Sequence, residues 1–489
     1  MTHSVAAVDL GATSGRVMVG HVGPNELRLE AVARFPNGGA ITPNSNGATP
    51  DSNGADDDSL RWNASGLFEH VVGGLRAAAT REPDIASIGV DSWAVDYALL
   101  SGDRMLGEPY HYRDERTGAG VKHVHALITP ADLYTRNGLQ FLPFNTVYQL
   151  AAELGGTALA SADTMLLVPD LINFWLTGNK RAERTNASTT GLLPVSADDW
   201  DLDLMCRVGL PSEILPPLIN AGDEVGTLIP DLATGTGLHA ATKVIAVGSH
   251  DTASAVVATP MSGDDAAYIS CGTWGLVGLE LVNPVLSEQA RTANFTNERG
   301  VDGTTRFLHN VMGLWLLNET MREWDLVGGT PQLQTVLSQA AAVTRPVPIF
   351  DANDARFLAP GPMTPRIVQW CAQNDIAPPA SRPEFVRSII ESLADAFALA
   401  IVTASGLANK HVSTVHIVGG GSLNELLCQR TADRLGLTVI AGPVEASAIG
   451  NVLVQARALG AVSDTLEGMR DLVRTTFSVR QYTPKEQLR

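Results

Sequence analysis

The feature that most constrains this fold is a glycine-rich turn followed by a strand. Val5–Asp9 (VAAVD) reads as a buried strand, the chain breaks over Leu10, Gly11, Ala12, Thr13, Ser14, Gly15 and Arg16, and Val17, Met18, Val19 and Val22 continue as β. A P-loop or dinucleotide-binding turn would open a helix at this point. Here, after Gly23 and Pro24, Leu27, Leu29, Ala31, Ala33 and Phe35 alternate with Arg28, Glu30 and Arg34, which predicts a three-stranded meander. A Gly/Thr/Ser turn between strands can offer backbone N–H groups and hydroxyls to phosphates, and Asp9 at the strand end can face a metal-bound nucleotide. Taken alone, the turn reads equally as an ordinary hairpin loop. The plan recurs at residues 266–278 (AAYISCGTWGLVG), which implies a duplicated fold with one such hairpin opening each half.

A chain of 489 residues exceeds one hydrophobic core, so two large domains with a cleft between them are expected, residues 1–242 and 243–489. A formal charge of −18 argues against nonspecific nucleic-acid binding and against adhesion to an anionic membrane, so any bound phosphate must be held locally. Four widely spaced cysteines, without a CxxC pair, fit a reducing compartment better than a zinc knuckle or a disulfide framework. The opening MTHSVAAVDLG lacks the basic segment and long apolar core of a secretion signal, and no apolar run approaches the ~20 residues of a membrane span. A soluble cytoplasmic protein is expected.

Along the chain, residues 38–58 hold almost nothing to bury and are expected to carry no secondary structure. A helix is expected over Ser65–Ala79, then a strand Ile85–Val90 ending in Asp91, Ser92, Trp93, Ala94, Val95 and Asp96. Two carboxylates and an indole there suit a polyol platform, or else a core tryptophan beside a cap. Residues 195–240, rich in Pro and Gly turns, read as the connection out of the first domain. Val244–Val247 reads as a short buried strand leading to Ser249, His250, Asp251 and Thr252, polar groups at a strand end where such sheets place ligands. By itself this stretch reads first as a helix N-cap before Ala253. A helix is predicted over Pro383–Leu407 and a strand over Thr414–Val418 running into Gly419, Gly420 and Gly421, where something can approach the backbone closely. The last well-defined helix is expected to end near Gly460.

Together DLGATSGR, GVDSWAVDYALL, YRDERT, NGLQFLPFNTVYQL, VGSHDTASAV, SCGTWGLVG, NVMGLWLLN, HIVGGGSLN and AGPVEASAIGN resemble the rhamnulokinases of the FGGY carbohydrate kinase family, in order from Asp9 to Asn451. The resemblance implies an α/β fold of two ribonuclease H-like, actin-like ATPase domains that move the γ-phosphoryl group of ATP to O1 of L-rhamnulose. It implies ATP phosphates on Ala12, Thr13, Ser14, Gly15 and Arg16, with Mg²⁺ near Asp9. Further nucleotide contacts are implied at Thr273, Asn310, Asn318 and Gly420. Ala94, where that family commonly carries glycine, His250, Asp251 and Thr252 fall on the sugar side, with Asp251 as proton acceptor. Partners would be the sugar and ATP, and the assembly a monomer or weak homodimer. A kinase for L-fuculose or another small ketose or polyol is the alternative enzyme, and an actin-like assembly protein the alternative outside catalysis.

Overall fold

The structure is a computed structural model that describes all residues except 1, 39, 42–58, 327, 329–331 and 486–489. The chain forms two compact units, one of Met1–Ala258, Leu281–Arg306 and Ser447–Thr476, the other of Thr259–Glu280, Phe307–Ala446 and Phe477–Arg489.

The first unit is built on a six-stranded sheet of β1 (His3–Leu10), β2 (Ser14–Gly23), β3 (Glu26–Pro36), β4 (Ile85–Ser92), β5 (Glu224–Thr227) and β6 (Lys243–Ile245), in the order β5-β6-β4-β1-β2-β3. β1, β2 and β3 are the antiparallel meander read from the alternation, while β4 runs parallel to β1 and β6 parallel to β4. Val5–Leu10 is buried on both faces, the pattern of a strand covered on both sides. The helix Ala64–Arg81 turns Leu67, Val71, Leu75 and Ala78 inward at helical spacing, and the side chain of Asn63 caps it by accepting from Gly66 N. Gly74 lets this helix approach the sheet, since a Cβ there would lie 2.4 Å from Val17 Cγ2.

The strands of the second unit are β7 (Ala266–Cys271), β8 (Trp274–Leu281), β9 (Thr305–Met312), β10 (Thr414–Val418), β11 (Thr438–Ala441) and β12 (Arg480–Tyr482), in the order β9-β8-β7-β10-β11-β12. β7 and β8 form an antiparallel hairpin, β10 lies parallel to β7 and β11 to β10, and β12 closes the edge antiparallel. These six repeat the order of the first sheet, and Thr296–Arg299 adds a seventh strand beyond β9, so the duplication read from the two hairpins extends through the central strands to the antiparallel edge. The predicted long helix spans Arg382–Ala408 and stops at Asn409 in the left-handed region.

Four expectations are corrected by position. The first unit runs through Ala258, not to residue 242, because β6 pairs with β4 and the helix Asp251–Val257 belongs with it; Asp251 therefore stands in the first unit. Residues 195–240 are no linker: their Pro and Gly turns separate short elements, among them β5, which pairs antiparallel with β6. Ala40–Ile41 pairs with Leu60–Arg61, while the loop at 42–58 lies outside the described residues. A further helix, Leu466–Thr476, follows the one expected to be last and buries Met469, Leu472 and Val473. Among the described residues no helix is long and apolar enough to cross a membrane.

Candidate active site

Two parallel strands of the first unit carry an acid near their carboxyl ends, and a third acid follows the end of β6. Asp9 closes β1 opposite Asp91 of β4, and beyond β6 the backbone of Ser249 accepts Ser92 N at 2.9 Å, with His250 bridged to Ser92 and Asp251 next in line. Ligands of open α/β sheets lie outside such carboxyl ends.

Arg16 faces Asp9 across the hairpin and donates Nε and Nη2 to Asp9 Oδ2 at 3.0 and 2.7 Å. The turn between them is tied by Gly11 N to Ser14 O at 2.9 Å and by Asn37 Nδ2 to Gly11 O at 2.8 Å. Thr13 and Ser14 are exposed, Ala12 and Arg16 half-buried, and Gly15 is required because a Cβ would meet the Phe35 ring at 2.1 Å.

Asp91 is fully buried. Asn451 donates Nδ2 to Asp91 Oδ2 at 2.6 Å and accepts at Oδ1 from Gln455, which in turn accepts from Ser87 and donates to Ala6 O. Burial first, then the charges of Asp9 and Asp251, hold the Asp91 carboxyl well above the usual range. Its Oδ1 is buried with no hydrogen-bond partner. Mg²⁺ takes oxygen ligands, commonly one or two carboxylates with waters and substrate phosphates. Asp9 and the orphaned oxygen of Asp91 fit that donor set. Among the described residues no group of three or more His, Cys, Asp or Glu could hold a metal ion alone, so phosphate and water would supply the rest of the shell.

Asp251 begins its helix, but it does not serve as the cap: His250 occupies the N-cap position and no side chain makes a cap bond. Its carboxylate is 32% exposed, accepts from Thr252 Oγ1 at Oδ1 (3.0 Å), and has His250 Nε2 3.6 Å from the same oxygen. Thr252 and His250 are themselves buried. The loop before it is held by Glu183, a buried carboxylate that accepts Ser249 N at 3.0 Å and Ser249 Oγ at 2.9 Å. On the other side Glu298 and the fully buried Arg306 close on His250. Glu183, Glu298, Arg306 and Asn451 were missed as site residues by sequence reasoning; only Asn451 left a signal, a polar i, i+4 pair with Gln455 inside an apolar helix.

The polyol platform expected at Asp91–Asp96 is not presented as one. Asp96 accepts from Trp62 Nε1 (2.6 Å), Trp93 Nε1 (3.0 Å), Tyr112 N (3.2 Å) and Gln149 Nε2 (2.9 Å), and the Trp62 and Trp93 rings pack at 4.1 Å. This is core. Ala94 is half-buried beside it, and the left-handed backbone of the turn falls on Val95 (φ 68°), so alanine in place of glycine costs no strain. Burial pushes the Asp96 carboxyl up from 3.8 to about 6, against the four donors. Because the native state holds this proton more tightly, its contribution to stability is full below about pH 4 and is lost as pH rises through about 6, a loss of about 3 kcal/mol. Denaturant titrations at pH 5 and 7.5 are expected to show a smaller pH difference for Asp96→Asn than for the unmodified chain; an equal difference refutes the assignment.

In the second unit Thr273 sits in the turn between β7 and β8, where Gly272 O accepts Leu314 N at 3.0 Å and Thr273 O accepts Trp315 N at 3.2 Å. This places the start of the helix Trp315–Leu326, which exposes Asn318, on that turn; Asn310 is half-buried on β9. The next strand end, after Val418, carries the three glycines. A Cβ on Gly419 or Gly421 would meet Cys271 O at 2.9 Å or Cys271 Sγ at 2.3 Å, so both serve packing. Gly420 is exposed with nothing within 4 Å of its would-be Cβ, leaving its backbone open to a ligand.

A duplicated sheet with a phosphate-type hairpin in each half and acids at parallel strand ends defines a phosphotransferase of the sugar-kinase class, and the chain belongs to the FGGY family of carbohydrate kinases. That family's N-terminal domain matches residues 50–258 and its C-terminal domain residues 267–459. Among curated proteins the chain is 36% identical to the rhamnulokinase of Bacteroides thetaiotaomicron, over 99% of this chain and 97% of that one. It is 37% identical to the rhamnulokinase of Bacillus subtilis, over 98% and 95%. Of solved structures, gluconate kinase from Lactobacillus acidophilus superposes with a TM-score of 0.77 at 17% identity, covering 99% of this chain and 94% of that one. Plasmodium falciparum glycerol kinase with ADP gives 0.76 at 13%, covering 99% and 95%.

Proposed function

We propose that this carbohydrate kinase transfers the γ-phosphoryl group of ATP to O1 of L-rhamnulose, giving L-rhamnulose 1-phosphate and ADP, in the cytoplasm. The rhamnulokinase relatives over nearly the whole chain support the substrate. The observation that carries the chemistry is Asp251: exposed enough to meet a substrate, beside Asp9 and Asp91, and unneeded as a helix cap.

The new bond joins the sugar O1 to γ-phosphorus, the bond from that phosphorus to the bridging oxygen of ADP breaks, and the O1 proton passes to Asp251. Because the transition state is loose, the carboxylate orients the hydroxyl and takes its proton late. Arg16 with the turn Ala12–Gly15 would hold phosphate oxygens, and Thr273, Asn310, Asn318 and Gly420 the rest of the nucleotide. Ala94, His250 and Thr252 would shape the sugar side. Mg²⁺, when bound near Asp9, would neutralise phosphate charge.

A panel of ketoses, aldoses and linear polyols, followed by sugar-dependent ADP release at fixed ATP, tests the assignment. L-Rhamnulose is expected to give the highest kcat/KM. A higher value for L-fuculose or a polyol overturns the substrate, and ADP release indifferent to any sugar overturns the kinase reading.

A further inference from the structure

A cavity of about 550 Å³ in the second unit is walled by residues 344–349, by the helices Arg382–Ala408 and Glu425–Leu435, and by Lys485 after the last strand. That is room for a small metabolite. Five cations line it, Arg345, Arg387, Arg430, Arg434 and Lys485, against two acids, Glu391 and Asp433, in a chain whose formal charge is −18. Helical spacing sets this up: Arg387 and Glu391 lie i, i+4 on one helix, Arg430 and Arg434 i, i+4 on the other. Buried Arg387 donates Nε to Glu391 Oε1 at 2.8 Å and Nη1 to Ala340 O and Val343 O, each at 3.2 Å, which ties down the start of the 344–349 wall. Glu391 is shared. Arg434 Nη2 donates to its Oε2 at 3.1 Å, and Arg430 Nε stands 3.3 Å from its Oε1, buried and without a hydrogen bond. Asp433 accepts Arg430 Nη1 at 3.3 Å, Gln429 Nε2 at 2.8 Å and Lys485 N at 2.9 Å. Beyond the wall Asp395 accepts Arg434 Nη1 at 2.7 Å, and Glu384 accepts Arg345 Nη2. Five cations therefore meet four carboxylates. Among the described residues Arg430 Nη2, Arg434 Nε and the Lys485 ammonium make no hydrogen bond, so donors as well as charge are left over.

We propose that this cavity is an anion site separate from the nucleotide site, and that its ligand is a small phosphate-bearing metabolite held by Arg430, Arg434 and Lys485. Guanidinium forks match phosphate oxygens two at a time, and a neighbouring ammonium adds a point charge. The glycine turn assigned to the nucleotide precedes the helix Glu425–Leu435, whereas Arg434 stands near its other end, ~14 Å along the axis from Glu425 at the helical rise per residue. The inference goes beyond the kinase reaction and does not depend on which sugar is phosphorylated.

Inorganic pyrophosphate is the probe, titrated calorimetrically into metal-free protein saturated with ADP so that the nucleotide site is occupied. One further site is expected, weakening as salt is raised. Arg430→Gln and Arg434→Gln are each expected to weaken it about tenfold or more, the scale of one lost hydrogen bond to a charged group. Lys485→Glu leaves every ion pair of the two helices in place, so it tests the site even if an arginine variant misfolds; a loss of about tenfold is expected there too. No binding to the ADP-saturated chain overturns the proposal, as does an affinity unchanged in all three variants. Binding seen only without ADP assigns pyrophosphate to the nucleotide site and overturns it as well. Arginine variants that melt lower, with no pyrophosphate bound by the unmodified chain, would make the cluster an ion-pair network only. Citrate, titrated alongside, presents carboxylates instead of phosphates, and tighter binding of citrate than of pyrophosphate overturns the phosphate class.

Discussion

Asp251→Asn is expected to lower kcat by about 10²- to 10⁴-fold, or roughly 3 to 5 kcal/mol of barrier, with ATP affinity and melting temperature nearly unchanged. The amide keeps the shape of the carboxylate and can still accept from Thr252, but it cannot take the O1 proton. Folding is insulated from the change, because no side chain caps this helix and the preceding loop is held by Glu183 through Ser249. Removing one negative charge also relieves Asp91, whose carboxyl is raised chiefly by burial and in part by Asp251. A kcat within a few-fold of the unmodified chain would reduce Asp251 to a surface acid.

Asp9→Asn is expected to cost at least about a hundredfold in turnover, the scale seen when one preorganised electrostatic partner is removed from a reacting centre. Arg16 donates Nε and Nη2 to Asp9 Oδ2, so an amide there loosens the guanidinium that would meet phosphate. It would also replace one of the carboxylate oxygens proposed for Mg²⁺ with an amide nitrogen. The loss should deepen as Mg²⁺ is made limiting, with little change in melting temperature. Turnover near that of the unmodified chain at limiting Mg²⁺ would exclude Asp9 from the metal site.

How much of this was legible depended on whether the information is local. β1 announces itself because Val5–Val8 is apolar without interruption, and β3 because its alternation has the period of a pleated strand. Asp9 was singled out because it follows such a run directly, whereas Asp251, four residues beyond Val247, read first as a helix cap and was given its role only by the family resemblance. The boundary near residue 243 was misplaced because β6 is three residues long and is a strand only by virtue of β4 and β5 on either side of it. The residues around the acids were illegible for the same reason: Arg306 and His250 are 56 positions apart, and Asn451 and Asp91 are 360 apart. No periodicity links such pairs. Asp96 shows the opposite error, since a carboxylate among indoles looks like a sugar contact until the four donors that occupy it are counted.

The segment Ser447–Thr476 belongs to the first unit although it is made almost last. During synthesis, Met1–Ala258 leaves the ribosome with Asp91 and Gly89 facing an empty place, and Asn451 fills it only after Thr259–Glu280 and Phe307–Ala446 of the second unit have been translated. Gly450, whose would-be Cβ lies 1.8 Å from Ser254 O, then seats that helix against the one that begins at Asp251. Termination between Asp251 and Asn451 therefore yields a product that has Asp9, Asp91 and Asp251 and lacks the amide that holds Asp91.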